Sequence, residues 1–210
     1  MAKGTKKQNK VKFGLNNVYY AKILDWTESS TTGEKNPVYG NLIRIPGAVS
    51  LSIDANGESE NFYADNTVYY VINNNSGYEG DLEIALMETI FAVDILGEKI
   101  DNNGLQVENT NAELSEFALL WEFDGDQHHI RHVAYRCAAS RPGINGNTTE
   151  DSKTPETDTI SLKMLSLPNG VVKAKTTVSV DDTVYNEWFS SVHVPKFTEG
   201  NETVTASEQS

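Results

Sequence analysis

Few side chains of this 210-residue chain could carry chemistry. His128, His129 and His132 cluster; on a strand His128 and His132 share a face and His129 points away. Two same-face imidazoles with a carboxylate such as Asp126 could hold a metal ion. The spacing lacks the helical His-Glu-x-x-His pattern, however, so surface histidines are the favoured reading and no metal site is expected. Cys137 is the only cysteine. A nucleophilic thiol needs a positioned base, and no spacing supplies one, so a small buried thiol is expected. Asp124 and Asp126 could form the carboxylate pair of a glycoside hydrolase. They flank Gly125, and solvated turn residues are the simpler reading. Asp101-Asn102-Asn103-Gly104 has its glycine at the fourth rather than the sixth place of a calcium loop, and reads as a turn. Gly-x-Ser-x-Gly, P-loop and Rossmann glycine patterns are absent. No catalytic residue, metal or cofactor is expected.

What remains is aromatic. Tyr19-Tyr20, Phe62-Tyr63 and Tyr69-Tyr70 place an aromatic on each face of a strand. An isolated sandwich leaves one face of each sheet wet, so aromatics on both faces point to a second subunit or a ligand. Ordinary β-propensity is the competing explanation. Trp26 and Tyr39 lie in a polar stretch, 25–41, that reads as a long loop. Loops of that length are often functional, and this one is expected to become ordered against a neighbouring subunit. The subunit-contact candidates are therefore Trp26, Tyr39, Tyr19, Tyr20, Tyr69 and Tyr70.

The elements that must position these residues are mostly strands. Residues 18–24, 42–45, 48–53, 61–64, 67–72 and 78–86 have β-branched and aromatic content or alternation. Asp65-Asn66 suits a two-residue hairpin turn. Residues 115–123 and 129–138 form the strongest strand pair, joined through Asp124-Gly125-Asp126. Residues 158–167 and 171–180 read as a further hairpin turning at Pro168-Asn169-Gly170, and 99–108 as a weak one. The period changes at Met87: Met87, Ile90 and Phe91 predict a short helix over 87–96, docking on the sheet and stopped by Gly97. A second helix is expected over 183–192, capped by Asp181 or Asp182. Residues 141–156 read as a second long polar loop. Residues 1–10 are expected to be a flexible arm, 11–195 one domain, and 196–210 a flexible acidic tail. The fold class is mainly β, an antiparallel sandwich or barrel with one or two short flanking helices.

Lys and Arg number 17 against 30 Asp and Glu, a formal charge of −13. Tight nucleic-acid binding needs clustered bases to neutralise phosphate. The one evident cluster, Lys3, Lys6, Lys7, Lys10 and Lys12, falls in the N-terminal arm and the two residues that follow it. No apolar run approaches the ~18 residues of a membrane-spanning helix, so no membrane anchor is expected.

Residues 47–72 (GAVSLSIDANGESENFYADNTVYYVI), 77–97 (GYEGDLEIALMETIFAVDILG) and 117–142 (FALLWEFDGDQHHIRHVAYRCAASRP) together are similar to the major tail proteins, or tail tube proteins, of long non-contractile-tailed bacteriophages of Gram-positive hosts. Residues 178–195 fit the same pattern, so the resemblance covers about 10–195. It implies a tail-tube fold whose homo-hexameric rings stack into a tube, with strands of six subunits forming one barrel around a DNA-conducting lumen. It implies location in the virion tail after assembly in the host cytoplasm. The implied partners are other copies of the chain, a tape measure protein, a tail terminator and distal tail proteins, with DNA passing the lumen without tight binding. The competing reading is a monomeric ligand- or carbohydrate-binding β-sandwich using the aromatics in one groove.

Overall fold

A computed structural model of the chain describes residues 7–29, 33–148 and 155–195. In chain order the elements are β1 (Lys12–Glu28), β2 (Lys35–Tyr39), β3 (Ile43–Arg44), β4 (Ala48–Ala55), β5 (Ser59–Ala64), β6 (Thr67–Asn73), β7 (Tyr78–Ile84), α1 (Thr89–Asp94), β8 (Lys99–Ile100), β9 (Gln106–Val107), β10 (Phe117–Gly125), β11 (Ile130–Ala139), β12 (Asp158–Leu165), β13 (Lys173–Lys175) and α2 (Asp182–Asn186). The fold is mainly β and antiparallel, with two short helices, as the sequence predicts.

Nine strands make one sheet in the order β2-β1-β10-β11-β12-β7-β4, with β3 on β1 and β13 on β11. The sheet curls until β4 comes back beside β1. The curl encloses an inner core of Val18, Tyr20, Leu82, Ile84, Leu119, Trp121, Ile160, Leu162 and Met164. Phe91, Ala92, Ile95 and Leu96 of the α1 segment pack into it. A second core lies on the other face of β10 and β11, where Ala118, Leu120, Val133 and Tyr135 meet Leu167 and Trp188. Both faces of β10 are thus covered, which is why it reads as a continuous apolar run rather than an alternation.

Several expected boundaries move. The stretch 25–41 is a β-hairpin rather than a long loop. β1 continues to Glu28 and pairs with β2, with Trp26 opposite Pro37 and Glu28 opposite Lys35. Its polar content belongs to a sheet edge, where side chains face water and a proline is tolerated. The 158–167/171–180 hairpin does not form. The turn closes, with Leu167 N–H donating to Val171 O at 2.8 Å, but it lays both strands along the same side of β11. β12 pairs with Arg136–Ala139 and β13 with His132–Ala134. The other side of β12 pairs with β7. Alternation reports which face a residue occupies, not which strand lies beside it.

The helices are shorter than 87–96 and 183–192. Met87 precedes α1, its N–H held by Asp158 Oδ2 at 2.7 Å. Gly97, at φ +73°, ends the segment as expected. Asp181 caps α2, accepting from Thr183 N–H at 2.8 Å. In the N-terminal arm, Asn9 and Lys10 are docked rather than free. Asn9 Nδ2 donates to His128 O at 2.7 Å, and Lys10 N–H donates to Asp126 Oδ1 at 2.9 Å. The acidic tail 196–210, residues 1–6 of the arm and 149–154 of the second loop lie outside the described residues.

Candidate assembly surface

β5 and β6 form their own two-stranded sheet, hydrogen-bonded to no other strand among the described residues. Asp65 and Asn66 both take positive φ, 51° and 61°, as a type I′ turn requires. At the base, Asn56 N–H donates to Gly77 O and Ser76 N–H to Asn56 O, each at 2.9 Å. A Cβ on Gly57 would fall 1.9 Å from Asn74 O, so only glycine fits there. Phe62 pairs across the ribbon with Tyr70, and Tyr63 with Val68, on alternate faces. Their exposure is high: Phe62 56%, Tyr63 64%, Tyr69 71%, Tyr70 64%. None of them joins either core. A lone two-stranded ribbon is marginal in water, and this one presents aromatic rings on both sides.

The other expected contact residues separate. Tyr69 and Tyr70 are on the exposed ribbon. Tyr19 is half-buried, its ring 5.1 Å from that of Phe189. Tyr20 is buried, which corrects its reading as a contact residue. It packs edge-on to Phe91 and Phe117, and its hydroxyl donates to Asp94 at 3.0 Å. Burial, then Asp94, raises its pKa well above the ordinary phenol value. Trp26 and Tyr39 are half-buried against the chain's own second core. Tyr39 donates its hydroxyl to Tyr135 O at 2.8 Å, and burial is the main cause of its raised pKa. Trp26 lies beneath the Arg136 guanidinium, 5.5 Å from the ring centre, while Arg136 pairs with Glu116 at 2.7 Å. Both residues seat the β1–β2 hairpin on its own body.

In the helix-docking set, Phe91 is buried, Met87 is half-buried against the inner core, and Ile90 is 47% exposed. Ile90 is thus a correction. Because α1 begins at Thr89, its apolar side is set by Phe91 and Ala92, continued by Ile95 and Leu96, and Ile90 turns outward.

Among the described residues, His128 and His132 do not come together with Asp126 as a ligand group. Glu122, Asp124 and His129 instead bring ligand-type atoms within 4.8 Å of one another. Each is already engaged. Glu122 is buried and accepts from Arg131 Nε at 2.7 Å and Asn17 Nδ2 at 3.1 Å. His129 Nδ1 donates to Asp124 Oδ1 at 2.7 Å. Burial pushes the Cys137 thiol up to about 12, so it stays protonated at neutral pH.

A basic cluster lies around His132, on residues distant in sequence. Lys175 lies opposite His132 and Lys173 opposite Ala134, so both lysines share the His132 face. Lys12 Nζ sits 4.8 Å from the Phe123 ring centre, and Lys173 Nζ 3.9 Å from that of Tyr78. His132 stacks on Trp121, 5.2 Å between centres at 7°. Burial pushes the His132 pKa down to about 4, helped by Lys175, Lys12 and Lys173, so this imidazole is neutral at pH 7. Trp121 Nε1 is buried without a hydrogen-bond partner among the described residues. The alternation Lys173-Ala174-Lys175 was visible in sequence, but not the strand beside it.

Compared with known protein families, residues 1–188 match a family model described as phage tail tube protein. No curated protein matches the chain at a significant level.

Proposed function

From the premise that the chain belongs to the phage tail tube protein family, we propose that its copies join through the β5–β6 ribbon into hexameric rings, which stack into a tube around a lumen conducting DNA at ejection. The family is structural, which agrees with a surface built for contact rather than for a reaction. One observation carries the reading: a ribbon with four exposed aromatic rings on two faces and no core of its own. Solitary aromatics need no explanation, but a contiguous two-faced patch marks an interaction site. The sheet also offers free edges. β4 is paired only with β7 and β2 only with β1 among the described residues, and unpaired edges are templates for strand addition. The formal charge of −13 supports passage of DNA without adhesion, because like charge repels phosphate.

The tube would lie in the virion tail, assembled in the host cytoplasm, with a tape measure protein, a tail terminator and distal tail proteins as its other partners. The carbohydrate-binding alternative needs aromatics lining one groove. Those on the ribbon face opposite directions, which suits contact on two sides. Replacing residues 58–76 with a short Gly-Ser linker separates the readings. The proposal expects a folded monomer that sediments slowly and forms no tubes; normal tubes from the shortened chain would remove the ribbon from the account.

A further inference from the structure

Charge is unevenly distributed along this chain. Residues 45–98 contain no Lys, Arg or His, yet carry Asp54, Glu58, Glu60, Asp65, Glu79 and Asp81 among their carboxylates. Residues 1–24 and 159–180 contain Lys and no Asp or Glu. The fold gathers lysines of the two basic stretches at one place. Lys12 on β1 and Lys173 and Lys175 on β13 surround the half-buried His132, where the inner core ends in Trp121 and Phe123. All three lysines are exposed, and among the described residues none has a carboxylate within ion-pair distance. Lys163, on the strand next to β7, is by contrast neutralised by Glu79 at 3.2 Å. The acidic stretch includes the β5–β6 ribbon, where Glu58, Glu60 and Asp65 are all exposed beside the aromatic rings.

Resting on the tube reading above, we propose that the Lys12–Lys173–Lys175 cluster is the receptor for the acidic, aromatic β5–β6 ribbon of a second copy of this chain. The contact is head-to-tail: the surface that gives and the surface that receives are different patches of one molecule. Such heterologous contacts close into rings or run on as filaments rather than stopping at a dimer. The receptor suits both parts of the ribbon. Its ammonium groups attract carboxylates. Lys12 and Lys173 also already lie over aromatic rings within the chain, and a cation over a ring face is attractive. The opposite signs of the two patches discourage ribbon–ribbon and receptor–receptor pairing, which like charges disfavour.

Three forms of the full-length chain test this: K12E/K173E/K175E, E58K/E60K/D65N, in which Asn keeps the positive φ of the turn, and the chain carrying all six changes. Each is followed by sedimentation over a dilution series and by thermal denaturation. Both triple variants should melt like the parent, since the altered side chains are exposed, yet need at least about tenfold more protein for half-assembly. The six-fold variant should recover most of that loss. Should a variant fail to fold, the unmodified protein supplies a second readout. Its assembly should weaken from low to high salt as screening removes the attraction, whereas purely apolar contact would hold or strengthen. Parent-like assembly by the lysine variant overturns the receptor while leaving the tube reading intact. Parent-like assembly with loss of salt-dependent duplex DNA binding would assign the lysines to phosphate instead. A parent protein that never assembles refutes the tube reading, and this inference with it.

Discussion

Replacing Phe62 and Tyr70 together with serine removes one face of the β5–β6 ribbon without touching either core. Aromatic side chains present ~150–250 Å² each. At 56% and 64% exposure these two leave about 85–160 Å² apiece for a partner to cover. At ~25 cal/mol per Å², that is about 2–4 kcal/mol each. Area overstates affinity, because association costs translational freedom and side-chain ordering. Even a third of the total exceeds ~1.4 kcal/mol, the equivalent of tenfold in an equilibrium constant. The double variant should therefore require at least about tenfold more protein for half-assembly. Folding should be nearly unaffected, since exposed substitutions usually fall within ~0.5 kcal/mol. Sedimentation across a dilution series gives the first quantity and thermal denaturation the second. Unchanged assembly would mean that this face meets nothing. A large drop in melting temperature would mean that the rings serve the monomer instead.

Phe91→Ala should destabilise the chain by ~3–5 kcal/mol, while Ile90→Ala should stay within ~0.5 kcal/mol; equal urea midpoints for the two would refute the orientation of α1. Arg131→Ala leaves the Glu122 carboxylate buried without its cation and should cost ~3–5 kcal/mol, most of it recovered in R131L/E122L; a mild effect of the single change would show that Glu122 is solvated. His132 makes stability depend on acid. Its folded-state pKa of about 4 lies below the ordinary ~6.5, so the unfolded chain takes up the proton first as pH falls. Stability is then full above pH ~6.5 and declines towards pH ~4, by at most about 3 kcal/mol and by less for a half-buried ring. H132F should flatten that part of the urea-midpoint profile, and an identical profile in the variant would place the acid sensitivity elsewhere.

The sequence disclosed faces and turns more readily than partners. Asp65-Asn66 announces its turn because few residue pairs accept two positive φ values, and the β10–β11 pair follows from two apolar runs across a short connection. The β1–β2 hairpin was hidden because an edge strand has little apolar signal, and Thr27, Lys35 and Asn36 read as loop. A strand was expected over 171–180, but the partner of β13 was hidden, because alternation does not say that β11 rather than β12 lies beside it. Tyr20 shows the limit of a doublet argument. It and Tyr19 occupy opposite faces as expected, but α1 and the C-terminal segment cover both faces, so neither side of β1 stays open at that point. At Phe62-Tyr63 and Tyr69-Tyr70 the same pattern marks real exposure, since neither core cluster of the described residues includes a residue of that ribbon. The lysine cluster required knowing that β1, β11 and β13 converge, which is a property of topology rather than of any local window.

Electron microscopy of the purified, unmodified chain, across concentrations followed in parallel by sedimentation, decides whether its copies assemble. Rings or tubes of uniform diameter that grow as concentration rises are expected. Single particles of about one chain's mass at every concentration would contradict assembly.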